Sequence, residues 1–302
     1  MMVRPIFKAT ISIFLTALWL GGCNGSKSES EIGTEKTSQS DKSEPVYFPS
    51  LETTLNCLPK NAAIMASHRG TSRNWDAAEN SVSGLKRLIK AGYLVAEIDV
   101  ASTKDNVLFT FHDGVFDHIS TGKGPVASAN SDYLETIILE TRNGKLTSDR
   151  PAFFSEILDL AKDKIYLEID FKSSAKYEDV IQAIRKNDMS DQVVLIAYTD
   201  GQANKLARVA PDMLLSVPPE SAKKGQLVWF GENADTAPDL KSIIGIDPMI
   251  IGRVRRKTKT RNLDKMVERS TLIVTDFVDE YDPIIGLKDK AEYKACRAAD
   301  RP

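Results

Sequence analysis

The chain has 302 residues, of which 42% are hydrophobic and 27% charged, and its formal net charge is −2. That balance creates no general field to recruit nucleic acid, so no nucleic-acid partner is expected. The apolar share is ample for one sizeable core.

Residues 1–22 open with Arg4 and Lys8, continue in an apolar run from Ala9 to Leu20, and end in Gly21-Gly22 before Cys23. A positive start, a short apolar stretch and small residues at its end make a secretory signal. The run is too short to cross a hydrocarbon core of roughly 30 Å comfortably. Its Leu-Gly-Gly-Cys ending resembles a bacterial lipoprotein processing site, which implies that Cys23 carries lipid and becomes the mature N-terminus. An ordinary secretory signal or an uncleaved anchor is the alternative. Residues 23–46 have almost no apolar side chains, cannot offset their ordering entropy, and read as a disordered tether.

Residues 47–302 form the folded domain, of a length usual for one (β/α)8 barrel of about 250 residues. AAIMAS, ending at Ser67, is the first strand. Val82, Leu85, Leu88 and Ile89 recur at helical spacing in the next segment, and Gly92 stops that helix. Tyr93–Val100 is a strand, Thr103–Asn106 a turn, and VLFTF a further strand. From Gly114 to Pro151 the pattern weakens into an extended, Gly- and Ser-containing insertion, as catalytic-side loops often are. FFSEILDLAK (helix), KIYLEIDFK (strand), YEDVIQAIRKND (helix), QVVLIAY (strand) and GQANKLARVA (helix) resume the alternation. MLLSV, QLVWF, DPMIIG and TLIVTDF read as strands, with NLDKMVER and APDLKSII as helices between some of them. This order predicts an α/β fold, a closed parallel TIM-type barrel. An open doubly wound sheet is the alternative, but no Gly-rich nucleotide fingerprint accompanies the pattern.

Polar residues fall at strand ends and on single strand faces. Two of the three histidines, His68 and His112, follow apolar runs directly. Glu97 and Asp99 share one face of their strand, as do Glu168, Asp170 and Lys172 of theirs. In a half-exposed strand such a face is merely solvated. In a parallel barrel both faces are covered, so inward charges need partners such as a metal or a phosphate. Cys57 and Cys296, near the two ends of the domain, are either a disulfide pair or two unrelated thiols.

His68-Arg69-Gly70, Glu79-Asn80, Glu97-Ile98-Asp99-Val100, Thr103-Lys104-Asp105 and His112-Asp113 resemble, in order and spacing, the glycerophosphodiester phosphodiesterase family. The resemblance implies a barrel of the phospholipase C-like phosphodiesterase architecture. It also implies His68 and His112 as general acid and base, and Glu97, Asp99 and Asp170 as ligands of one divalent cation. Arg69 and Lys172 are implied as phosphate donors, with Glu79 near the metal or the substrate hydroxyls. Hard oxygen ligands suit Ca²⁺ or Mg²⁺ alike. Helix capping is the structural alternative for Glu79-Asn80. By resemblance, a glycerol hydroxyl attacks first and water then opens a cyclic phosphate.

The sequence departs from the family at several points. Glu168 stands where the family has asparagine, leaving open whether it joins the metal shell. His118 follows Asp117 where arginine is usual and is assigned to a loop or substrate rim. Thr275-Asp276-Phe277 resembles the family's Thr-Asp element, but Val278 replaces its proline. DPMIIGRVRR occupies the place of the tryptophan–threonine–x–asparagine strand. Within the basic run Arg253–Arg261, Arg253 or Arg255 contacts an anionic headgroup, or the run is a solvated loop or rests on anionic lipid. The expected activity is metal-dependent hydrolysis of glycerophosphodiesters, small-molecule substrates, to sn-glycerol 3-phosphate and an alcohol. A lysophospholipase D-like lipid phosphodiesterase and a non-catalytic phosphate-binding envelope lipoprotein are the alternatives. The expected protein is exported, lipid-anchored to a bacterial membrane, and a monomer or weak oligomer.

Overall fold

The computed structural model describes residues 47–223, 226–236, 249–254 and 263–299. The expected signal and tether (1–46), the APDLKSII helix and the basic run beyond Val254 lie outside the described residues.

The strands are β1 (Ala63–Ser67), β2 (Val95–Ser102), β3 (Leu108–Thr110), β4 (Tyr166–Phe171), β5 (Val193–Ile196), β6 (Leu214–Val217), β7 (Leu227–Gly231), β8 (Met249–Val254), β9 (Leu272–Thr275) and β10 (Ile284–Ile285). The described helices are α1 (Leu51–Asn56), α2 (Val82–Ala91), α3 (Ser131–Leu134), α4 (Phe154–Ala161), α5 (Tyr177–Lys186), α6 (Asp200–Val209), α7 (Leu263–Arg269) and α8 (Lys290–Ala298). β1, β2 and β4 to β9 pair in parallel, and the β1–β2 and β1–β9 pairings close the ring of eight. The expected TIM-type barrel is the fold. β3 is a strand as expected, but it runs antiparallel to β2 outside the ring. β10 pairs antiparallel with β1. Neither β10 nor α1 nor α8 follows from the α/β alternation, since each closes an end of the domain.

Local chemistry sets the helix limits. Ser81 caps α2 by accepting from the Gly84 amide, and Gly92 ends it in the left-handed region at φ 81°. α5 carries Glu178 and Asp179 in its first turn and Arg185 and Lys186 in its last, each sign against the favourable dipole end.

Period two divides each strand between two environments. Ala96, Ile98, Leu167 and Ile169 face the helix layer, packed with Leu85, Leu88, Ile157, Ile181 and Leu206. The other parity faces the barrel axis. Ile64, Val95, Tyr166, Val194, Leu227, Ile251 and Leu272 fill its lower interior, against Leu51 and Leu55 of α1. One step further along the same strands the inward residues become Glu97, Glu168, Trp229, Arg253 and Val274, which line a cavity. The barrel is thus apolar below and charged above.

Residues between β3 and α4 form a third core, in which Phe109, Phe111 and Phe116 pack with Leu134, Ile137 and Leu139. Isolated bridges Ser120–Leu139 and Glu140–Leu146 hold this segment together. It is a folded cap, where the sequence suggested only an extended insertion. Cys57 at the end of α1 and Cys296 in α8 are disulfide-bonded, with Cα atoms 5.7 Å apart. Among the described residues no helix is long and apolar enough to cross a membrane.

Candidate active site

The register of β2 against β4 creates the acidic centre. Glu97 lies opposite Glu168 and Asp99 opposite Asp170, so two same-face pairs become a block of four buried carboxylates. Oxygen atoms from Glu97, Asp99 and Asp170 lie within 4.8 Å of one another. Lys172 Nζ reaches Asp99 Oδ1 at 2.5 Å and Asp170 Oδ2 at 2.8 Å, and the Tyr198 hydroxyl donates to Asp170 Oδ2 at 2.9 Å. Burial, then the charges of Asp99 and Asp170, pushes the Glu97 carboxyl well above the ordinary range. Burial likewise raises Asp170. Burial also opposes ionisation of Asp99, yet Lys172 and His112 hold it below the ordinary range. Glu168 is 1% exposed and neither of its oxygens has a hydrogen-bond partner. Its carboxyl is pushed up to about 8, by burial first and Asp170 second. A buried block of this kind, with one ammonium to offset it, fits a hard divalent cation.

The turn after β1 carries the second half of the site. Arg69 sits in the left-handed region at φ 60°, so its backbone amide points inward and donates to Glu97 Oε2 at 2.7 Å. Its Nη1 donates to Glu79 Oε1 at 2.7 Å. Asn80, also left-handed at φ 53°, donates to Asp99 Oδ2 at 2.6 Å and accepts from the Asp99 amide at 2.9 Å. The capping alternative for Asn80 is therefore overturned: Ser81, one residue on, is the cap, and Asn80 holds a candidate metal ligand. Glu79 is buried and takes Arg69 on one oxygen and Arg142 on the other. It lies beside Arg69 and outside the carboxylate triad.

His68 Nδ1 is 2.7 Å from Asp276 Oδ1, which leaves Nε2 facing Glu97 Oε2 at 4.0 Å. Burial lowers the His68 pKa, against the opposing pull of Asp276. Burial pushes Asp276 up, but its hydrogen bond from His68 and the Arg142 charge outweigh this and hold it low. His112 stands across the cavity with Nδ1 2.6 Å from Asp113 Oδ1. His118 Nδ1 meets the other Asp113 oxygen at 2.9 Å in an exposed position and does not line the cavity. The cavity, of about 370 Å³, brings together His68, Arg69, Glu97, Asp99, His112, Glu168 and Asp170.

Three residues escape the sequence reading. Asp276 belongs to a motif to which the sequence gives no role, and it orients His68. Arg142 comes from the cap, where no periodicity signals it, and bridges Glu79 and Asp276 at 2.5 and 2.7 Å. Tyr198 follows β5, and only the fold brings it to Asp170. Arg253 lines the cavity, so for this residue the solvated-loop alternative fails.

Residues 68–240 match the model of the glycerophosphoryl diester phosphodiesterase family. A curated relative, the uncharacterized protein YqiK of Bacillus subtilis (strain 168), is 28% identical over 152 residues, covering 48% of this chain. The aligned part spans 62% of that relative's length, less than two thirds. A glycerophosphoryl diester phosphodiesterase from Parabacteroides distasonis superposes with a TM-score of 0.63 at 17% identity, over 82% of this chain and 92% of its own. A glycerophosphodiester phosphodiesterase from Agrobacterium tumefaciens gives 0.62 at 16% identity, over 71% and 96%. An Oleispira antarctica phosphodiesterase, solved with the product sn-glycerol-3-phosphate, gives 0.58 at 13% identity, over 75% and 96%. At these identities the superpositions speak for the barrel, and the family match covers more than half of the sequence. The chain belongs to the glycerophosphoryl diester phosphodiesterase family.

Proposed function

We propose that the protein hydrolyses glycerophosphodiesters to sn-glycerol 3-phosphate and an alcohol, using a divalent cation and the two histidines. One observation carries this reading: the carboxylates, the Arg69 guanidinium and both imidazoles open on a single cavity, with Lys172 bound to two of the carboxylates behind it. Glu97, Asp99 and Asp170 would hold Ca²⁺ or Mg²⁺, which supplies charge neutralisation and polarisation at phosphorus. Arg69 and Lys172 are the donors for the nonbridging oxygens, with Glu79 and Asp170 orienting them. Asp276 accepts from His68 Nδ1, so Nε2 carries the lone pair toward the cavity. Asp113 orients His112 in the same way. One imidazole takes the proton of the attacking glycerol hydroxyl and the other returns a proton to the departing alkoxide; water then opens the cyclic phosphate to sn-glycerol 3-phosphate with the two roles exchanged. The product bound in the Oleispira antarctica structure supports this substrate class.

The test is metal-stripped protein offered glycerophosphocholine, glycerophosphoinositol and lysophosphatidylcholine, with Ca²⁺ or Mg²⁺ restored and the phosphomonoester product (sn-glycerol 3-phosphate, or lysophosphatidic acid from the lysolipid) measured. Cation-restored release from the first two is expected, with Glu97→Gln at least 100-fold slower. Release from the lysolipid alone would reassign the protein to the lipid phosphodiesterases. Silence on all three would leave a phosphate-binding role.

We also propose that residues 1–22 direct export and that Cys23 anchors the domain to a bacterial membrane through the tether at 23–46. The Cys57–Cys296 bridge supports an oxidising compartment. Cys23→Ala should move the protein from the membrane to the soluble fraction, and retention on membranes would refute the anchor.

A further inference from the structure

We propose that Arg253 forms an anion subsite in the cavity wall opposite the carboxylate block, selecting glycerophosphodiesters whose leaving alcohol carries its own negative charge. The inference rests on the hydrolase reading above and specifies its substrate.

Arg253 lies on β8 beside Val274 of β9, and both line the cavity. Ser216 of β6 and Trp229 of β7 line the same wall. The carboxylates stand on β2 and β4, so the cavity is acidic on one side and basic on the other. The guanidiniums on the His68 side are unequally satisfied. Arg69 and Arg142 each bond Glu79, and Arg142 also takes Asp276 Oδ1, which His68 shares. Among the described residues, Arg253 is left with Asp276 Oδ2 at 3.8 Å and the His68 Nδ1 edge at 3.5 Å. Its Nε, like that of Arg69, is buried with no hydrogen-bond partner. Arg69 and Arg142 each have a charge contact of 2.7 Å or less, whereas Arg253 has none shorter than 3.5 Å among those residues. A cation with free donors on a cavity wall is completed by an anionic oxygen from outside the protein. Arg69 and Lys172 already serve the scissile phosphate from the carboxylate side, which leaves Arg253 to the headgroup. A quaternary ammonium placed there would meet a like charge, whereas a carboxylate or second phosphodiester would meet a fork of donors. Trp229 gives that headgroup an apolar wall and Ser216 a hydroxyl.

The experiment compares kcat/KM for bis(glycerophospho)glycerol, whose leaving alcohol carries a second phosphodiester, with that for glycerophosphocholine. Wild type, Arg253→Gln and Arg253→Lys are measured, with circular dichroism and Tm verifying the fold of each. The expected result is a wild-type preference for the anionic substrate. That preference should fall about 10- to 100-fold in Arg253→Gln, mostly through KM, and recover in part in Arg253→Lys. Equal losses on both substrates would overturn the proposal, because Arg253 would then serve the scissile phosphate or hold Asp276. A wild-type preference for glycerophosphocholine would overturn it too. Wild type inert on every glycerophosphodiester would instead sink the hydrolase reading, and the subsite with it.

Discussion

Glu168 puts the electrostatics of the site in their sharpest form. Its carboxylate has no hydrogen bond, and its pKa is raised to about 8, well above the roughly 4.3 of a free glutamate. A carboxyl with a raised folded-state pKa holds its proton more tightly when folded. Its folding stability is therefore full below the unfolded value and declines as pH rises toward the folded one. Glu97 shifts in the same direction. Metal-stripped protein should accordingly lose thermal stability between roughly pH 5 and about pH 8. Glu168→Gln should flatten that slope, and Ca²⁺ or Mg²⁺ should restore Tm at the alkaline end. A wild-type Tm that stays level across this interval without metal would show that the block is not under charge strain. Asp99 stands apart, because Lys172 neutralises it locally.

The elements matter for how they seat the His68-Arg69-Gly70 turn. β1 delivers the turn, and α2 packs directly behind it. Gly84 in α2 is the contact point: a Cβ there would lie 2.8 Å from the Gly70 carbonyl oxygen and 3.1 Å from that of Ala78. Both are backbone atoms and cannot swing aside. Gly70 is itself at φ +66°, with Ile98 Cδ1 2.7 Å from the place of a Cβ. Gly84→Ala is expected to push α2 off the turn, costing about 1–3 kcal/mol of stability. Turnover should fall more than tenfold, since about 1 Å of misplacement at a catalytic turn costs even more than that. Urea unfolding and steady-state kinetics check the two effects, and an unperturbed enzyme would mean that α2 does not set the turn. The cap between β3 and α4 acts similarly from the other side, because its folded core presents Arg142 to Glu79 and Asp276.

At the scale of the molecule, the two ends of the domain are fastened together. The Cys57–Cys296 bridge closes a sequence separation of 239 residues. Arg297 of α8 donates to the Thr54 hydroxyl of α1 at 3.0 Å and to the Tyr166 hydroxyl at 3.1 Å. Tyr166 stands at the base of the barrel interior on the strand that carries Glu168 and Asp170. A cross-link of this span restricts the unfolded chain strongly, so replacing both cysteines with serine should cost about 2–5 kcal/mol. For a domain of this size that corresponds to a Tm lower by about 5–15 °C. Calorimetry of oxidised wild type against the double variant measures it, and equal Tm values would refute the fastening role. The cavity lies at the opposite end of the barrel axis, so turnover below the transition should be little altered.

The order of strand and helix, the parity of each strand and the residue types at strand ends are local properties, and sequence alone determined them. They were enough for a parallel barrel with Glu97, Asp99, Glu168 and Asp170 on inward faces and with His68 and His112 at strand ends. Sequence periodicity could not say which inward residues meet, because that depends on inter-strand register. Only the β2–β4 register turned two pairs into a four-carboxylate block. Nor could it find Arg142, whose cap has no periodicity, or give Asp276 its partner 208 positions away in His68. Asn80 shows the limit most directly. Asparagine before a helix is a good cap by local rules, yet the left-handed backbone at this position turns its amide into the barrel toward Asp99. Local propensity is decided by neighbours within a few residues; the charge balance of this cavity is decided by closure of the barrel, which brings β1, β8 and β9 around to the carboxylates of β2 and β4.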